Sequence, residues 1–235
     1  MKTGSSRISF AASLKVGTSK RAFTLIELLT VIAILAILAG IVLPATIGAG
    51  ATAQRAQIRI RFQQWSSAIE DFRHQYGTYP VFHESGKLNG GATQDPAGVH
   101  IFHDTLAGRR RDGSPLPDRV PGSPPDRPEV QNPLRLRFLS GSSVQFVQES
   151  GDESALLCTP TGGTDVAVLV DTNLDGAIDL ADRSELPEVS PSDDPSIRLR
   201  PRSEDFPLGG IRAGVAFYTA PAGARSVSEL VLSWK

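Results

Sequence analysis

The hydrophobic pattern along the chain has two regimes. From Leu28 to Ala53 there is no charged residue over 26 positions, and Leu28 to Leu43 is apolar on nearly every helical face. At ~1.5 Å rise per residue such a helix is about 39 Å long, more than the roughly 30 Å of a bilayer's hydrocarbon. The pattern therefore predicts a membrane-spanning helix. Beyond it the period changes. Ile58, Phe62, Trp65, Ile69, Phe72 and Tyr76 recur at spacings of 4, 3, 4, 3 and 4, which makes one apolar stripe, while Arg55, Arg59, Arg61, Glu70, Asp71 and Arg73 fall on other faces. Gly77 suits a left-handed cap and Pro80 cannot continue a helix, so the element is expected to end at Tyr76. A single helix from Phe23 to Tyr76 would measure roughly 80 Å.

After the helix the apolar period disappears. Residues 77–133 read as a variable, Pro/Gly-rich connection with seven prolines between Gly113 and Pro133, either an ordered surface loop or a partly disordered one. Arg109-Arg110-Arg111 lies in it and reads as a solvated run or a contact for an acidic partner. His100 and His103 have a metal-compatible spacing without a supporting cysteine and are not read as ligands. Strand signals follow at 134–139, 143–148, 166–170, 213–219 and 229–234, with 220–225 as a turn. The expected fold class is α+β: a long N-terminal helix, apolar in its first half and amphipathic in its second, packed on a C-terminal antiparallel sheet over 134–235.

Charge sharpens this division. Residues 1–22 carry five basic residues and no acid, so the remaining chain, with 19 basic and 25 acidic residues, has a net charge of −6. Basic residues on the N-terminal side of the apolar run keep that side cytoplasmic and send the rest across the membrane. A whole-chain net charge of −1 argues against nucleic-acid binding. The single Cys158 excludes an intramolecular disulfide and any multi-cysteine metal site. No nucleophile–base set, paired-carboxylate cleft or phosphate loop is present, which argues against an enzyme. Glu27 is the exception to the apolar pattern: an acid one residue inside it, where burial in lipid is costly and a partner must be found.

Arg21-Ala22-Phe23-Thr24-Leu25-Ile26-Glu27-Leu28-Leu29 resembles the processing motif of type IV pilins and type II secretion pseudopilins. The resemblance implies a cytoplasmic leader, residues 1–22, removed between Ala22 and Phe23 by a membrane prepilin peptidase that also N-methylates the new terminus. Ala22 departs from the glycine usual before the cut, and the leader is long for the family. Pro44 then falls where pilins commonly carry a helix-kinking proline, within a transmembrane or filament-core helix over 23–53, followed by an amphipathic helix over 54–76. Tyr76-Gly77-Thr78-Tyr79-Pro80 is similar to the helix exit of major pseudopilins. On assembly, Glu27 would pair with the terminal amine of a neighbouring subunit, matching two charges that are costly alone.

The resemblance implies a single-pass inner-membrane protein with a cytoplasmic N terminus and a periplasmic domain, held in lipid until it joins a periplasmic filament. Its partners would be the peptidase, other pilin-like subunits and the inner-membrane assembly platform. Many type IV pilins close a C-terminal loop with a disulfide, so the lone Cys158 favours the secretion system over a pilus. A third reading, a secreted calcium-binding protein cut after Ala51-Thr52-Ala53, would begin at Gln54.

The calcium element is Asp171-Thr-Asn173-Leu-Asp175-Gly176-Ala177-Ile178-Asp179-Leu-Ala-Asp182. Asp171, Asn173, Asp175, Asp179 and Asp182 supply oxygens at calcium-loop spacing, and Ala177 supplies a carbonyl. Asp182 is shorter than the usual closing Glu, and no helix pair flanks the loop. The competing reading is a turn whose Asp and Asn side chains cap their own backbone.

Overall fold

The computed structural model describes residues 24–82, 86–89, 100–139, 144–148, 155–179 and 185–235; at 41–49, 148 and 155 it describes the backbone alone. By its internal contacts the chain divides into two units, Met1–Gly48 and Ala49–Lys235. Helix α1 (Leu25–Tyr76) supplies residues to both.

In the first unit α1 presents apolar side chains to solvent on every face. Leu25 is 82% exposed, Ile37 65% and Leu38 52%. Among the described residues no helix is long and apolar enough to cross a membrane. The span expected over 23–53 includes Phe23 and the side chains of 41–49, which lie outside the described set. Pro44 sits within helical backbone there, and the expected kink lies outside the description.

In the second unit the aromatic stripe of α1 is the spine of the core. Ile58, Phe62, Trp65, Ile69 and Phe72 are buried, and Tyr76 is half-buried. Across from them is a three-stranded antiparallel sheet, β3 (Val166–Val170), β4 (Val215–Thr219) and β5 (Val231–Leu232), in the order β3-β4-β5. Val168 pairs with Phe217, and Tyr218 with Leu232. Alternation along a strand sends Val166, Val168, Val215 and Phe217 toward α1. Ala167, Leu169, Ala216 and Tyr218 point the other way, onto Ile178, Val189, Leu199 and Ile211 from the connecting loops. Both faces are covered, which is why the strands read as continuous apolar runs. Phe62 stacks on Phe217 at 5.4 Å between centroids, and Trp65 meets Phe217 and Phe102 edge-on, each at 5.7 Å.

A second, two-stranded sheet pairs β1 (Phe146–Gln148) antiparallel with β2 (Ala155–Leu157). The region 77–133 holds more than a connection. It contains α2 (Ile101–Ala107), with Phe102 and Leu106 buried in the core, and α3 (Pro128–Gln131). The alternation at 134–139 does not form a strand. Arg135 takes a left-handed φ of 53°, and the Asn132 side chain accepts the Leu136 N–H (2.9 Å) and donates to the Leu136 carbonyl (2.7 Å). A side chain thus satisfies the groups that a neighbouring strand would have used.

The helix exit is closed by Gly77 at φ 78°, whose N–H donates to the Arg73 carbonyl at 2.7 Å. Tyr79 then folds back on α1. Its hydroxyl donates to Glu70 Oε1 (3.0 Å) and accepts from Arg73 Nη1 (2.6 Å), and the Arg73 guanidinium lies 4.7 Å from the ring centre. Burial, with Glu70 adding to it, pushes the phenol up to about 12. The ring lies so close to Gly214 that a Cβ there would overlap the Tyr79 hydroxyl.

Candidate assembly site

The N terminus of α1 is built by Thr24 and Glu27. The Glu27 N–H donates to Thr24 Oγ1 (3.3 Å), and Glu27 Oε2 accepts both the Thr24 N–H (2.9 Å) and the Thr24 hydroxyl (2.8 Å). This reciprocal arrangement is a capping box, and a negative side chain in the first turn also suits the helix dipole. Thr-x-x-Glu spacing is a sequence signal for it, which attention to Glu27 as a charge alone passes over. Glu27 is exposed, and among the described residues its Oε1 makes no hydrogen bond. The group is therefore held at a fixed place on the helix end with one oxygen open to a cation. Ala22 and Phe23, the residues of the expected cleavage, lie outside the described set.

The loop after β3 uses its oxygens internally. Asp171 is fully buried; its Oδ1 accepts the Asp175 N–H (3.2 Å) and its Oδ2 the Gly176 N–H (2.9 Å). Asn173 Oδ1 accepts the Asp175 N–H (3.0 Å), and Asp175 Oδ1 the Ala177 N–H (2.9 Å). Asn173 also donates its amide to Asp175 Oδ2 at 3.0 Å. Leu174 at φ 61° and Gly176 at φ 90° make the sharp bend, and Ile178 anchors it in the core. Among the described residues no group of three or more His, Cys, Asp or Glu is placed to hold a metal. Asp179 is described, but the closing Asp182 is not. These hydrogen bonds are those of a self-capping turn built by Asp171, Asn173, Asp175 and Gly176.

The arginine run sits on a tight reversal. Arg109 bridges to Pro115 through the backbone, and the Arg110 N–H donates to the Ser114 carbonyl at 2.9 Å. Arg109 is exposed, Arg110 and Arg111 are half-buried, and the Arg111 guanidinium lies 6.0 Å from the Phe146 ring centre. Cys158 is buried and free, its thiol pushed up by burial, and its Sγ lies 3.4 Å from the Gln145 carbonyl.

Comparison with known proteins bears on the α1 end alone. Neither the curated proteins nor the solved structures contain a match to this chain. Residues 17–43 match the prokaryotic N-terminal methylation motif, which brackets Ala22, Phe23, Thr24 and Glu27 and supports a type IV pilin-like protein processed by a prepilin peptidase.

Proposed function

We propose that this chain is a pseudopilin-like structural subunit of a type II secretion system, without catalytic activity of its own. Its leader is cut at Ala22–Phe23, the new terminus is N-methylated, and the apolar half of α1 waits in the inner membrane until the subunit joins a periplasmic filament. The observation that carries the reading is the capped Glu27 inside the methylation motif: a carboxylate fixed at the helix end, ahead of an apolar surface left exposed by the described residues. In the filament that carboxylate meets the methylated amine of an adjacent subunit, and two charges that are costly when buried alone satisfy one another. The free Cys158 leaves no disulfide-closed C-terminal loop and favours the secretion system. The same motif serves subunits of type IV pili, so a major or minor pilin is the second reading.

Two experiments separate these. Mass spectrometry of the mature protein should find N-methyl-Phe23 as the first residue; a chain beginning at Gln54 would point to an ordinary secreted protein. Deleting the gene should stop protein export while leaving surface pili intact. Loss of pili with normal export overturns the secretion assignment in favour of the pilus.

A further inference from the structure

Helix α2 joins three parts of the second unit. Phe102 packs against Trp65 at 5.7 Å, and His100 and His103 stand edge-on to Phe146 of β1 at 5.9 and 5.1 Å. The Leu106 carbonyl accepts the N–H groups of both Phe138 (2.8 Å) and Leu139 (3.0 Å), so the chain after α3 hangs on α2 as well.

The N-cap of this helix is His100, fully buried, with both ring nitrogens in use. Nε2 lies 2.8 Å from Asn89 Oδ1. The orientation of Asn89 follows from its backbone partners: its nitrogen donates to the carbonyls of Leu157 (2.8 Å) and Thr164 (2.6 Å), and its oxygen accepts the Leu157 N–H (2.9 Å). An oxygen only accepts, so Nε2 carries the hydrogen. Nδ1 receives the His103 N–H at 3.2 Å and must offer a lone pair. Only the neutral, Nε2-protonated tautomer meets both demands. A proton added at Nδ1 would face another N–H and remove the helix cap.

We propose that His100 makes α2 an acid-released latch: protonation expels the imidazole from its site and frees α2, together with Asn89, from β2. Among the described residues the charged and titratable groups around the ring are few. Asp104, fully buried, accepts the His100 N–H (3.1 Å) at Oδ2 and lies 2.8 Å from His103 Nδ1 through Oδ1. His103 and Asp104 come from α2, and Arg111 from the turn that follows it. β1 contributes Phe146 and the segment before α2 contributes Asn89, neither of which titrates.

Burial, reinforced by His103 and Arg111, pushes the His100 imidazole down to about 3. A released His100 titrates near 6.5, so the released state binds the proton more readily. The latch is therefore intact above about pH 6.5 and weakens as pH falls toward 3, and the released-to-latched ratio rises roughly 25-fold between pH 7 and pH 5.

Hydrogen–deuterium exchange of the full-length protein in detergent micelles tests this, with intrinsic rates corrected. From pH 7 to pH 5 the amides of residues 103–108 and 157 should lose at least about tenfold protection relative to β3 and β4. In His100→Asn and His100→Gln the same amides should start less protected and respond little to pH. Wild-type protection unchanged within about threefold overturns the proposal. So does a drop that persists in both His100 variants but vanishes in Asp104→Asn, since the carboxylate is then the sensor. Should the variants not fold, the ¹⁵N-histidine spectrum of the wild type decides: His100 is expected as the Nε2-protonated neutral ring at pH 7 and as imidazolium only as the 103–108 amides lose protection, and an imidazolium at pH 5 with that protection unchanged overturns the latch.

Discussion

The two ends of α1 are built from similar residues and meet opposite fates. At Ile58, Phe62, Trp65 and Ile69 the apolar side chains are fully buried, because polar residues between them confine the apolar surface to one face that a sheet can cover. At Leu25, Ile26, Leu28 and Leu29 comparable side chains are half to four-fifths exposed. They surround the helix, and no single neighbour on one side can cover them. Apolar content alone thus says that a helix must be buried; the period says by what. A stripe asks for a domain of the same chain, whereas a fully apolar surface asks for lipid or for several other helices.

Breaking the charge at the exposed end should have the largest effect. In the proposed filament Glu27→Gln would leave an amine unmatched in the core, a cost of about 3–5 kcal/mol, so polymer in the sheared fraction should fall at least tenfold. The melting temperature of the second unit should not move. Wild-type polymer yield would sink the pairing. Next comes the buried end: Trp65→Ala should cost about 3–5 kcal/mol in urea denaturation, while Ile32→Ala should change the same measurement by less than about 0.5 kcal/mol. Similar losses for both would erase the contrast between the ends.

A smaller effect asks whether the buried end needs more than its own hydrogen bonds. Asp171→Ala should cost about 1–3 kcal/mol by exposing unpaired N–H groups of the turn, equally with and without chelator. A loss seen only without chelator would instead assign the loop to calcium. The smallest effect belongs to the cap. Thr24→Ala should weaken the first turn of α1 by about 0.5–2 kcal/mol, read as faster amide exchange there with no change in domain melting.

These contrasts also explain what was legible in the sequence. The stripe from Ile58 to Tyr76 and the run Val166–Val170 are local, periodic patterns, and both ended where Gly77 and Asp171 interrupt them. The α2 segment lacked such a signal. Its apolar residues, Ile101, Phe102 and Leu106, are too few to set a period, and its histidines meet Asn89 and Phe146 from outside the segment. At 134–139 the alternation was genuine, but Asn132 captures the backbone and Arg135 turns left-handed, so a strand-like pattern forms an irregular segment. In the loop after β3 the residue types admit two uses, a calcium loop and a self-capping turn, and the spacing of the oxygens is common to both.

The contact between Tyr79 and Gly214 limits how this chain can change. The phenol fills the volume that any side chain at 214 would need, so even alanine there displaces the ring from Glu70 and Arg73. The reverse order is open, since a smaller residue at 79 makes room first and the Glu70 carboxylate, which also crowds that Cβ, is the end of a flexible side chain. Substitutions at the two positions therefore have a required sequence in time, and a descendant carrying bulk at 214 would record an ancestor that had already given up the tyrosine.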